Sequence, residues 1–106
     1  MISVIIPTYQ EPGHLDACIK SLYLNPSSRN NFEVIVVADG FFDLNKSVIN
    51  KYQELENNFK VLNLQKNQGL SVATNLGVYN STHETILVVN DDNIFPENWD
   101  KKLEYW

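Results

Sequence analysis

Four short apolar runs punctuate the chain: "ISVII" (2–6), "EVIVVA" (33–38), "KVLNL" (60–64) and "TILVV" (85–89). The first, second and fourth are nearly continuous in Val and Ile, as strands covered on both faces should be. The third alternates around Asn63, which predicts an edge strand. Between the runs lie stretches of helical spacing. Leu15, Cys18, Ile19 and Leu22 fall at i, i+3, i+4 and i+7, with Pro12 placed for a first turn. Val48, Tyr52 and Leu55 repeat that period, and so do Val72, Leu76 and Tyr79, the last set beside Ala73 and Gly77, which give a small-residue face for close packing. Strand and helix thus alternate as βαβαβαβ, an α/β, Rossmann-like pattern that predicts a mostly parallel sheet with right-handed crossovers and helices on both faces.

Composition narrows what such a domain can do. One domain is expected over 1–106, since 106 residues are enough for one core and not for two. The net charge of -5, from 13 acidic and 8 basic side chains, argues against nucleic-acid backbones or anionic membranes as partners. It suits a divalent cation bridging the protein to a phosphorylated ligand. A single cysteine, Cys18, excludes an internal disulfide and fits a reducing compartment. The opening "MISVIIP" lacks a basic region and a long apolar stretch, so it does not read as a signal peptide. No apolar run approaches the ~20 residues of a transmembrane segment. A cytoplasmic domain is expected, and "NKS" and "NST" then read as chance matches to the glycosylation pattern.

Ligands of open α/β sheets bind beyond the carboxyl ends of the strands. Those ends here are "PTYQEPG" (7–13), "ADGFFD" (38–43), "QKNQG" (65–69) and "NDDN" (90–93), and three of the four carry acids. Asp91 and Asp92 stand side by side after an apolar strand. Like charges so close repel, so the pair is either a solvated acidic turn or a seat for something positive.

Taken in order, "SVIIPTYQE", "EVIVVADGFFD" and "NQGLSVATNLGVYNSTHETILVVNDDNIFPENW" resemble the nucleotide-sugar-binding half of the family 2 glycosyltransferases, which have the GT-A fold. The resemblance runs from Ile2 to about Trp99. It implies that Thr8 and Tyr9, with Glu11 beside them, line a nucleotide pocket. Tyr9 either offers an aromatic wall to a base or packs under its loop. Asp39 takes the place of the acid that accepts the imide N–H of a uracil-type base, which favours a UDP-sugar as partner. Ala38, Phe41 and Phe42 depart from the family's usual acid and small polar residues, and Asp43 reads as the cap of a helix beginning near Asn45.

The resemblance places Lys66 and Gly69 in a loop that leads into a helix N-terminus, where a diphosphate would be favoured. Lys66 is either a further charge there or a solvated loop residue. Thr74 stands where relatives often carry an Arg. "NDDN" matches the DXD-type motif, which implies Asp92 as ligand of Mn2+ or Mg2+ and Asp91 as the ribose contact. In the family an acid of the second half acts as general base toward the acceptor, with inversion at the anomeric carbon; no later carboxylate of this sequence fits that role. His14, His83, Trp99 and Trp106 read as structural. With a strand order 3-2-1-4 the fourth strand becomes an apolar sheet edge, which predicts self-association or docking there. The competing reading is a non-catalytic nucleotide-binding or interaction domain.

Overall fold

The computed structural model describes residues 2–9, 12–26, 32–40 and 42–100, with the side chains of 12 and 42–44 outside that description. Its elements are β1 (Ile2–Thr8), α1 (Pro12–Leu24), β2 (Phe32–Asp39), α2 (Phe42–Leu55), β3 (Phe59–Leu64), α3 (Leu70–Tyr79) and β4 (Thr85–Val88). The strands form one parallel sheet in the order β3-β2-β1-β4. In the central pair, Ile2 lies opposite Phe32 and Thr8 opposite Ala38, so both strands reach the same edge together.

Side chains alternate across the sheet with the period of two that a strand imposes. On one face Val4, Ile6, Val34 and Val36 meet Leu15, Cys18, Ile19 and Leu22 of α1 and Ile49 and Tyr52 of α2. On the other, Ile5, Ile35 and Val37 meet Ala73 of α3. The two central strands are therefore buried along their whole length, and all four residues of the α1 stripe are fully buried. The edge position of β3 is as its alternation predicts.

Three sequence expectations are corrected. In α3 the small-residue face of Ala73 and Gly77 packs on the sheet as expected, but the stripe beside it does not: Val72 and Tyr79 are exposed and Leu76 is half-buried. The cause is close approach: a Cβ at Gly77 would collide with Ile5 and come within 3.2 Å of Val37 Cγ2. Only small side chains fit beneath this helix, and the larger apolar ones are turned to its flanks. In α2 the buried stripe is Asn45, Ile49 and Tyr52, and Leu55 is 66% exposed. That helix begins at Phe42, three residues before the expected start. Its rotation is pinned by the Tyr52 hydroxyl, which donates to Asp16 Oδ1 of α1 at 2.8 Å, beside the Lys51–Asp16 ion pair at 3.1 Å. Finally, β4 is not buried on both faces. Ile86 and Val88 are exposed on the side where α3 lies over β1 and β2, while Leu87 packs against the opposite cluster.

Candidate functional site

The carboxyl ends of β1 and β2, the β3–α3 loop and the turn after β4 enclose a cleft of about 250 Å³. Thr8, Asp39 and Asp91 line it from the strand ends, Asn67, Gly69 and Leu70 from the loop, and Tyr9 from the mouth. Sheet topology thus brings together residues far apart in sequence. Tyr9 is 43% exposed along this cleft, and its carbonyl accepts from Asn45 Nδ2 of α2 at 3.3 Å.

Thr8 is buried, and its hydroxyl donates to Asp91 Oδ2 at 2.9 Å. This bond spans the β1–β4 junction and fixes one carboxylate oxygen of the acidic pair. Asp92 is exposed and makes no hydrogen bond or ion pair among the described residues. Asp39 is also buried, and three donors converge on it. The Gln68 N–H reaches Oδ1 at 2.6 Å, while the Gly69 N–H at 3.1 Å and Asn67 Nδ2 at 3.3 Å reach Oδ2. Gly40 makes that approach possible. Its φ of 77° lies in the left-handed region, and a Cβ there would stand 2.9 Å from Asn67 N. The Gly40 N–H donates to Leu64 O at 3.0 Å, tying the end of β2 to the end of β3.

The turn carrying Asp91 and Asp92 is held from the far side by "IFPENW". Ser21 Oγ accepts the Phe95 N–H at 2.8 Å, and Asn25 Nδ2 donates to Phe95 O at 2.7 Å. Trp99 Nε1 donates to Leu22 O at 2.9 Å, and its ring meets Phe32 and Phe95 edge-on at 5.1 and 5.0 Å. The C-terminal half of α1 therefore anchors the segment after β4, and the acids project from a fixed turn. Beneath them lies Cys18, whose Sγ is 3.8 Å from Asn90 O. Burial, with the Asp91 and Asp92 charges adding to it, pushes its thiol up to about 12, so it stays protonated and inert.

Of the residues singled out in the sequence, Thr8, Tyr9, Asp39 and Asp91 meet at the cleft, and Asp92 sits on the adjoining turn. Lys66 is exposed and is not among the lining residues, so the structure places it in solvent. Glu11 and Trp106 lie outside the described residues. Gly69, expected in this loop, lines the cleft, but Asn67 and the contacts of the Gln68 and Gly69 N–H groups with Asp39 escaped the sequence reading. Their only signal was an Asn–Gln–Gly turn before an apolar helix, which does not name a partner. Among the described residues no cluster of three or more His, Cys, Asp or Glu side chains forms a closed metal cage. A metal that takes one or two carboxylates and completes its shell with phosphate oxygens and water needs no such cage, and the acidic pair fits it.

Residues 3–104 match the model of glycosyl transferase family 2. The chain belongs to that family. It is 29% identical over 92% of its length to the glycosyltransferase GlyG of Streptococcus pneumoniae, and it covers 32% of that protein. Among solved structures, S. aureus TarS 1-349 in complex with UDP-GlcNAc superposes with a TM-score of 0.88 at 28% identity, covering 98% of this chain and 30% of TarS 1-349. The mannosyltransferase PcManGT of Pyrobaculum calidifontis, solved with GDP-Man and Mn2+, shares the fold with a TM-score of 0.82 at 22% identity, over 92% of this chain and 29% of that one. This family 2 chain spans between 14% and 40% of the length of the curated relatives it matches. Its α/β sheet is that of the GT-A glycosyltransferases. No helix among the described residues is long and apolar enough to cross a membrane.

Proposed function

We propose that residues 1–106 form the donor-binding domain of a glycosyltransferase that takes a nucleoside diphosphate sugar, with UDP-sugars favoured. The observation that carries this reading is the convergence of Thr8, Asp39 and Asp91 on one cleft at the carboxyl edge of a parallel sheet. The TarS complex with UDP-GlcNAc, on the same fold, supports it. Tyr9 would flank the base, Asp39 would accept its imide N–H, and Asp91 would hold the ribose. Lys66 and Glu11 complete the proposed set. Gly69 and the N-terminus of α3 would face the diphosphate.

Asp92 is proposed as the side chain that holds Mn2+ or Mg2+, because its carboxylate is exposed and uncommitted. When bound, such an ion neutralises the charge that develops on a leaving nucleoside diphosphate. The chain's own residues bind and orient the donor. Deprotonation of an acceptor hydroxyl, with inversion at the anomeric carbon, is assigned to no residue of this sequence. Calorimetric titration of UDP with Mn2+ tests the donor site. Metal-dependent binding that Asp92→Ala removes is expected, and absence of binding by any nucleotide overturns the reading. The alternative, a non-catalytic nucleotide-binding domain, is favoured by Ala38 and Thr74, which depart from the family pattern. Donor binding without sugar transfer or donor hydrolysis selects it.

Two further proposals follow from chemistry outside the cleft. The exposed Ile86 and Val88 on an edge strand favour pairing of β4 with a second copy of the chain, and a clean monomer in sedimentation at working concentration counts against that. A cytoplasmic location and no nucleic-acid partner follow from the lone thiol and the net charge of -5. Cell fractionation and a DNA-binding titration check them.

A further inference from the structure

The contact between Asp39 and residues 67–69 goes beyond a role for Asp39 in base recognition. Three of roughly four lone-pair positions on a carboxylate are already taken by the loop, two of them by backbone N–H groups. Asn67 Nδ2 also donates to the Asp39 main-chain oxygen at 3.3 Å, so the loop's side-chain hydrogen bonds among the described residues all run to this one residue. Gly69, the N-cap of α3, has φ 96° and ψ 160°, and no side chain of its own segment caps the helix. Asn67, Gly69 and Leu70 are the wall that faces Thr8 and Asp91 across the cleft.

We propose that Asp39 is a positioning residue that holds the 67–70 wall of the cleft, so that it governs the affinity for the diphosphate portion of a ligand as well as for the base. This rests on the donor-cleft reading above. In the Asp39→Asn variant an amide N–H2 replaces one acceptor oxygen. At least one of the two backbone donors then faces another donor, and the wall is released although the side chain keeps its size.

The test compares the wild-type chain with Asp39→Asn by amide hydrogen exchange without ligand and by calorimetry with two probes, UDP with Mn2+ and inorganic pyrophosphate with Mn2+. Exchange at Gln68 and Gly69 is expected to quicken by about tenfold or more while β1 and β2 amides keep their protection. Pyrophosphate is expected to lose affinity by about tenfold, and UDP by at least as much. Unchanged exchange at Gln68 and Gly69, or a loss confined to UDP with pyrophosphate binding intact, overturns the proposal in favour of a base contact alone. Should Asp39→Asn fail to fold, Asn67→Ala removes one of the three donors. Faster exchange at Gln68 and Gly69 in that variant supports the inference, and unchanged exchange overturns it. A wild-type chain that binds neither probe defeats the donor-cleft reading, while the exchange data still decide whether Asp39 holds the wall.

Discussion

Each end of the sheet holds a buried carboxylate, Glu33 at the amino end and Asp39 at the carboxyl end, and the two are treated in opposite ways. At the amino end Glu33 accepts from Ser3 Oγ at 2.6 Å and from the Thr82 N–H and hydroxyl at 2.7 Å each, and it pairs with Lys60 at 2.8 Å. Three donors meet on Oε2 and the Lys60 cation sits on Oε1, so both carboxylate oxygens are engaged. At the carboxyl end Asp39 and Asp91 are held by neutral donors only, Asp92 is uncommitted, and a cleft opens between them. A buried acid with a cation and converging donors is a fastener. Acids of the same fold left without a cation beside an opening are available to a ligand. Burial alone does not separate the two cases; the partners do.

The largest expected effect lies at the amino end. Replacing Glu33 by Ala leaves Ser3 and Thr82 donors without an acceptor and should lower stability by about 3 kcal/mol, read from denaturant unfolding. Nucleotide affinity measured well below the melting temperature should stay at the wild-type level. If Glu33→Ala weakened binding as much as folding, the division between the ends would be lost.

The same residue sets a pH dependence. Burial by itself would raise the Glu33 pKa, but the Lys60, Ser3 and Thr82 hydrogen bonds outweigh it and hold the carboxyl at about 2, against 4.5 when free. A depressed acid stabilises the fold fully above its unfolded pKa. That contribution, about 3 kcal/mol from the size of the shift, should therefore be present above pH 4.5 and fade toward pH 2. Unfolding curves across that range check the sign, and Glu33→Gln should flatten them.

Gly77→Ala falls between the ends, under α3. It forces a methyl into Ile5 and Val37 and should cost about 1–3 kcal/mol by overpacking, seen as a lower melting temperature. A neutral result would show that α3 can lift from the sheet. At the open end Thr8→Val keeps shape and removes the bond to Asp91, for an expected loss of about 1 kcal/mol in stability. Its effect should be larger on Mn2+-dependent nucleotide affinity, and equal losses would make Thr8 a fastener like Glu33. The smallest effect on folding belongs to Asp92→Ala, within about 0.5 kcal/mol, with metal-dependent binding lost altogether.

Much of this contrast was legible in the residues. The apolar runs placed all four strands to within a residue or two at most ends, the alternation of "KVLNL" marked an edge, and the α1 stripe is buried as its spacing requires. The acids at the strand ends met at one edge because parallel strands point the same way. Two helices were legible in part: Tyr52 and Val48 pack on the core but Leu55 does not, and the face of Ala73 and Gly77 packs close but Val72 and Tyr79 stand exposed. In α3 the strand surface under Gly77 admits only small side chains, and in α2 Asn45 and Ile49, not Leu55, share the buried face with Tyr52. Glu33 drew no notice in the sequence, since a single acid within an apolar run has no local mark that says Lys60 and Thr82 will reach it. Lys66 stands in the β3–α3 loop, exposed and outside the cleft's lining, for a loop position alone does not fix which side chains line a cleft.

The sequence by itself determined the order of elements, the parallel sheet and the edge where chemistry collects, because these depend on local periodicity and on the direction a strand runs. Which carboxylates are spent on holding the fold and which are left for a ligand was decided only in three dimensions. The donors that settle it come from segments about 30 to 80 residues away, and no local pattern records the distance that closes between them.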